Sequence, residues 1–184
     1  MVPVPRLAVS PFKHLDRLPR GGDRDVGAGY VMAITAVGVT TFYYLVVGVG
    51  ILLIGVGSGG APFVTNAVVG RLFVVGLLSG AISLSAVVAP LLFVTGIAAW
   101  RLVPPSQRYG GAIGGLLAMA LAYLVAGTVV VGLAPVYTVA TGSSLLDTVI
   151  GGIGIIVVAF LASSWIALPA SVLTGTRYER SLDE

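Results

Sequence analysis

The chain has 184 residues, 57% of them hydrophobic and 9% charged, whereas about a quarter of the residues of a soluble domain are charged. That balance excludes a soluble globular fold. The absence of cysteine removes disulfides, thiolate metal sites and cysteine nucleophiles together. A net charge of +3 is not by itself a nucleic-acid signal, and the positions of the charges explain it otherwise.

Residues 1–25 form a basic tail with Arg6, Lys13, Arg17, Arg20 and Arg24, diluted by Asp16, Asp23 and Asp25. Within it Ser10-Pro11 reads as an N-cap and first-turn pair, with Phe12, Leu15 and Leu18 on one face and Pro19 as the stop. The segment is either a short helix lying on the membrane surface or a disordered tail. Four stretches free of charged residues follow, at residues 26–56, 72–100, 110–134 and 148–173. Each is long enough to cross a hydrocarbon layer about 30 Å thick, for which about 20 helical residues suffice. The first is about twice the length of a signal-peptide core and lacks a small-residue cleavage site, so it is read as a retained span. Residues 175–184 make a second polar tail. The expected fold is therefore all-α and integral to the membrane, with four transmembrane helices arranged as two tandem hairpins, at about 26–100 and 108–174 within a membrane domain at 26–174.

The basic residues are distributed unevenly. Arg6, Lys13, Arg17, Arg20 and Arg24 precede the first span, Arg101 and Arg108 lie between the second and third, and Arg177 and Arg180 follow the fourth. With four crossings these regions share one side, and Arg71 alone is on the other. The positive-inside rule then puts both termini in the cytoplasm, with a prokaryotic plasma membrane as the expected location. Trp100 and Tyr109, beside Arg101 and Arg108, read as an aromatic belt at the inner interface, and Tyr137 reads likewise outside.

Displacing the sequence by 79 residues aligns its halves without a gap. Tyr30 meets Tyr109, and Tyr44-Leu45-Val46-Val47-Gly48 meets Tyr123-Leu124-Val125-Ala126-Gly127. Pro90 meets Pro169, and Thr95-Gly96 meets Thr174-Gly175. This pattern suggests a duplicated hairpin whose copies are parallel and related by an axis along the membrane normal, although a composition rich in Val, Gly, Leu and Ala accounts for some of the identities. In the third span Gly110, Gly114, Ala118, Ala122 and Ala126 recur every fourth residue, and the second offers Gly76, Ser79, Gly80 and Ser83. Such smooth stripes let helices approach closely in lipid. A cavity lined by these residues is the alternative.

No histidine, lysine, arginine or carboxylate lies at membrane depth, so proton relays, ion sites and catalysis are disfavoured, and serine hydrolysis lacks a base. His14 is the only histidine and cannot build a metal site alone, so no metal or other cofactor is expected. The intramembrane hydroxyls are expected to bond carbonyls one turn back. Arg71 and Asp147 flank the second and fourth spans on the outer side and fall within a turn of each other under the offset, so they are candidates for an interhelical ion pair. The alternative is that both mark the water interface. Pro90 and Pro169 each free a carbonyl within a helix and are candidate hinges, as well as ordinary membrane prolines. These readings favour a non-enzymatic protein that acts by packing, as an accessory or assembly subunit or with copies of itself. The competing class is a transporter or channel for a neutral or apolar solute formed by a homo-oligomer. The expected partners are the lipid bilayer and another membrane protein or a second copy, and no nucleic acid.

The orientation is tested by impermeant thiol labelling of intact cells. Cysteines at Ser10 and Ser181 are expected to be shielded and cysteines at Ser58 and Ser143 to react, and labelling at either of the first two positions would reverse the topology.

Overall fold

In a computed structural model, residues 17–57, 67–105, 107 and 109–182 are described. Arg6, Lys13, His14, Arg108 and the Ser10-Pro11 segment lie outside them. The described residues hold four helices: α1 (Arg24–Gly57), α2 (Ala67–Leu102), α3 (Gly110–Thr141) and α4 (Leu145–Leu182). All four are long and apolar enough to cross a membrane. At a rise of 1.5 Å per residue their 32 to 38 residues reach about 48–57 Å, well beyond a hydrocarbon layer.

The helices overrun the charge-free stretches for identifiable reasons. α3 continues through Pro135 to Thr141, because one missing N–H is tolerated within a long apolar helix. It ends where Gly142 takes a left-handed conformation (φ 70°) and returns its N–H to the Thr138 carbonyl at 2.9 Å. Only residues 142–144 separate it from α4, and the hydroxyl of Ser144 accepts the Asp147 N–H at 3.2 Å, an N-cap for the next helix. At its far end α4 runs through Gly175 to Leu182, so Arg177, Glu179 and Arg180 stand on a helix rather than in a loose tail.

α1 packs most extensively on α2, and α3 on α4. Their contacts run antiparallel: Gly29 meets Phe93 and Ile97, Tyr44 meets Gly80, and Gly48 meets Leu77. In the other pair Gly111 meets Gly175, Gly115 meets Ser171, Gly127 meets Ile156 and Gly152 meets Val130. One end of the assembly, here the terminal end, therefore carries the start of α1, the end of α2, the start of α3 and the end of α4. The distal end carries the four opposite termini.

Burial is concentrated toward the terminal end. The largest buried side chains are Trp100, Met32 and Val31, joined by Ala28, Ala36, Leu92, Ala99, Ala118, Met119, Ala122, Ala167 and Tyr178 in one cluster. No described residue of α2 from Val69 to Leu91 is buried, and none of α4 from Leu145 to Ile166. In the distal halves of the other two helices only Gly48 and Ala134 are buried among the described residues.

Two glycines set how closely α3 and α4 approach. A Cβ on Gly111 would overlap the carbonyl of Gly175, and one on Gly115 the carbonyl of Ser171, so the helices meet backbone to backbone. Gly132 and Gly154, by contrast, have nothing within 4 Å of a Cβ. Gly111→Ala and Gly115→Ala are expected to destabilise by about 1–3 kcal/mol through overpacking. Gly132→Ala and Gly154→Ala are expected to be neutral or to stabilise by up to about 1 kcal/mol through helix propensity. Thermal unfolding in detergent measures all four variants.

Candidate functional site

Among the described residues, the contact between the two helix pairs at the terminal end is polar and largely enclosed. Arg24, in the first turn of α1, gives Nε and Nη2 to Glu179 Oε1 of α4 at 3.1 and 2.7 Å. Its Nη1 donates to the carbonyls of Val103 at 3.1 Å and Trp100 at 3.4 Å, which lie at the end of α2 where the helix supplies no further N–H partners. The other oxygen of Glu179 accepts the Trp100 indole N–H at 2.9 Å. Tyr178 donates its hydroxyl to the Arg24 carbonyl at 2.9 Å and packs edge-on against the Trp100 ring. One guanidinium thus gathers α1, the end of α2 and α4 into a single hydrogen-bonded knot, and the Trp100 ring brings in α3 by lying on Gly114.

The geometry explains the local choices of residue. The Trp100 ring lies on the Cα atoms of Gly114 and Gly175, a space that any larger side chain would fill. Gly27 leaves room for the Tyr178 hydroxyl in the same way. A second ion pair, Arg101 to Asp25 at 2.8 Å, also links α2 to α1. It is the more exposed of the two: the Arg101 side chain is 67% exposed, whereas those of Arg24 and Glu179 are 24% and 19% exposed. Coulombic attraction is screened in the first case and retained in the second.

Trp100 is 2% exposed, so it is a plug between helices and not part of an interfacial belt, whereas Tyr109 and Tyr137 are exposed. Gly110, Gly114, Ala118 and Ala122 are buried and Ala126 is half-buried. Gly80 lies under the Tyr44 ring, while Gly76 is exposed with nothing within 4 Å. Pro90 and Pro169 lie inside α2 and α4, exposed.

Arg71 and Asp147 do not pair in this structure. The ion pairs among the described residues are Arg20–Asp23, Arg24–Glu179 and Arg101–Asp25. The physical reason lies in the packing. α2 contacts α1 and α3, and α4 contacts α3 and α1, which leaves α2 and α4 across the diagonal. Asp147 instead sits three residues after Ser144, whose hydroxyl accepts its N–H. It has the position of a capping carboxylate, where the positive end of the helix dipole favours it. The Ser144-Leu-Leu-Asp147 spacing signals this in the sequence.

Hydroxyls along the helices mostly bond their own helix. Thr35, Thr95, Thr128, Thr174 and Ser163 donate to the carbonyls of Val31, Leu91, Leu124, Ala170 and Ala159. Tyr123 and Ser163 also share a hydrogen bond between α3 and α4, with Phe160 edge-on to the tyrosine ring. Among the described residues no group of three or more His, Cys, Asp or Glu side chains is gathered as metal ligands would be.

No family model, curated protein or solved structure matches the chain.

Glu179 and Arg24 were not singled out from the sequence, and Trp100 was given a different role. The available signal was positional. Glu179 aligns with Trp100 and Arg24 with Val103 under the 79-residue offset, and both alignments turn out to be hydrogen-bonded contacts.

Arg24→Ala is expected to cost on the order of 2–4 kcal/mol, because it strands Glu179 in a poorly solvated site and frees two carbonyls. Arg101→Ala is expected to cost less than about 1 kcal/mol. A double-mutant cycle on thermal or denaturant unfolding should give strong coupling for Arg24 with Glu179 and simple additivity for Arg71 with Asp147.

Proposed function

We propose that the chain is a multi-pass protein of a prokaryotic plasma membrane, with both termini in the cytoplasm. In this reading it acts without catalytic machinery, as an accessory, assembly or structural subunit of a membrane complex. The observation that carries the proposal is the bare distal half of the helix set. α2 from Val69 to Leu91 and α4 from Leu145 to Ile166 present apolar side chains with none buried. Such a surface is suited to lipid and to the helices of another membrane protein, and in lipid close packing rather than hydrophobicity decides which of the two covers it. The chain offers no Asp, Glu, Lys, Arg or His between residues 26 and 70, 72 and 100, 109 and 146, or 148 and 176 with which to run a proton or ion path.

The proposed ancestry is a duplicated hairpin, its copies related by an axis along the membrane normal. Contacts that recur at the same spacing support it. Gly48 meets Leu77 and, 79 residues on, Gly127 meets Ile156; Gly96 meets Met32 and Gly175 meets Gly111. α2 at 67–102 has its counterpart in α4 at 145–182, each with a proline at the equivalent place. Residues near a twofold axis touch their own equivalents. Arg24 with Val103 and Trp100 with Glu179 are such contacts, each between residues 79 apart. The axis of the duplication would then pass through the terminal joint.

One observation favours a second reading, transport of a neutral or apolar solute by a homo-oligomer. Pro90 and Pro169 fall where α2 and α4 pass from their bare half to their buried half, since burial begins at Leu92 in α2 and ends at Ala167 in α4. The two readings separate experimentally. Purification from membranes in mild detergent is expected to bring down a stoichiometric membrane partner. Recovery of the chain alone, together with solute uptake or leak in reconstituted vesicles, would replace the subunit reading by transport.

A further inference from the structure

We propose that the two helix pairs rock against each other about the level of Pro90 and Pro169, and that Arg24, Glu179 and Trp100 form the latch that holds the terminal end shut. The purpose of such a motion rests on the transport reading above, while its geometry stands on separate observations.

The terminal half of each pair is built to move as a body. The backbone-to-backbone approaches, Gly111 on Gly175, Gly115 on Ser171 and Gly96 on Gly29, all lie within a pair. Between the pairs the joint adds polar material to a shared apolar cluster around Met32, Ala118 and Ala167: the ion pair and hydrogen bonds of Arg24 and Glu179, the Tyr178 hydroxyl on Arg24, and the Trp100 ring on Gly114 and Gly175. These contacts gather at the terminal end, and among the described residues none is buried in α2 from Val69 to Leu91 or in α4 from Leu145 to Ile166. The arrangement is one of two levers fastened at the terminal end.

The latch is suited to release. Arg24 and Glu179 remain 24% and 19% exposed, so water reaches both ions as they part. The bonds are few and directional, and breaking them does not require either pair to unpack. The pivots are suited to bending. Proline 90 lacks the N–H that would bond Ala86, and proline 169 the one that would bond Trp165. Both prolines are exposed, next to Leu92 and Ala167 at the edge of the core. Hinge positions of this kind convert a small parting at one end into a closure at the other.

The chain has no cysteine, so pairs of spin-labelled cysteines can be placed at will. One pair, Val75 with Ile150, spans α2 to α4 in the distal half, and another, Ala98 with Leu173, spans the same helices in the terminal half; all four positions are exposed. In lipid vesicles Glu179→Gln is expected to raise, roughly tenfold, a minor population in which the terminal distance is longer and the distal distance shorter. Trp100→Phe, which removes the indole hydrogen bond and part of the ring that lies on Gly114 and Gly175, should move both distances in the same directions. Adding Pro90→Ala and Pro169→Ala to Glu179→Gln should abolish the distal change. If Glu179→Gln does not purify as a monodisperse protein, Arg24→Lys, which keeps the charge and loses the fork to the carbonyls, is measured in its place. A longer terminal distance with an unaltered distal one would mean local fraying and overturn the proposal, as would no change in either distance. Exchange of the two distances without solute entry into the vesicles would discard transport and leave the motion. Solute entry without exchange would discard the latch and leave transport.

Discussion

A single arginine fastens this molecule together. Four helices that are apolar on every side have no preferred partner in an apolar medium, since lipid covers their surfaces as well as another helix does. Directional bonds and close backbone approach must therefore supply the specificity. Arg24 provides the first by bonding a carboxylate of α4 and two carbonyls at the end of α2. Its planar fork suits that combination in a way a lysine ammonium would not, because several fixed donors are needed at once. Glu179 is held in turn by the Trp100 indole, so neither charge nor any of the named carbonyls is left to solvent alone.

Close approach supplies the rest, and it works within the pairs. Gly111 and Gly115 bring α3 against the backbone of α4, and Gly29 and Gly96 do the same for α1 and α2. The two kinds of contact divide the architecture. Small residues, with polar links such as Arg101 to Asp25 and Tyr123 to Ser163, set the pairs, and the bonds of Glu179 and Tyr178 with the Trp100 ring help set how the pairs meet. The Trp100 ring fits because Gly114 and Gly175 leave space for it, which ties the polar joint to the glycines that shape each pair. A change at one of those glycines would therefore disturb the latch as well as the helix contact beneath it.

The uneven distribution of burial is a consequence of the same division. Where polar groups and glycines coincide, at the terminal end, the four helices enclose a core around Met32, Ala99, Trp100 and Ala118. Toward the distal end the polar side-chain contacts of the described residues lie within a pair. The polar contacts there, Ser144 with the N–H of Asp147 and Thr138 with Gly142, close the turn between α3 and α4. The surface left over is apolar, and it is this surface that gives the subunit reading its substance.

Four helices, their approximate extents and their length relative to a membrane were legible in the sequence, because charge-free runs and turn residues report directly on local structure. The buried face of α3 was legible too in outline, since Gly110, Gly114, Ala118 and Ala122 recur at the spacing of one helix face. Partner choice was not. Gly76 and Ser83 have the same spacing as a packing stripe yet face no helix, because periodicity marks a face without saying what stands opposite it. Arg71 and Asp147 were candidates either for a pair, from their shared depth, or for two interface markers, and depth carries no information about which helices are diagonal. The terminal joint depends on residues as far apart in sequence as Arg24 and Glu179, 155 positions, and on Trp100 turning inward rather than lying at an interface. Local composition fixed the elements; the pairing of their ends was decided only by tertiary packing, because hydrogen-bond partners between helices depend on rotation and register that no single segment encodes.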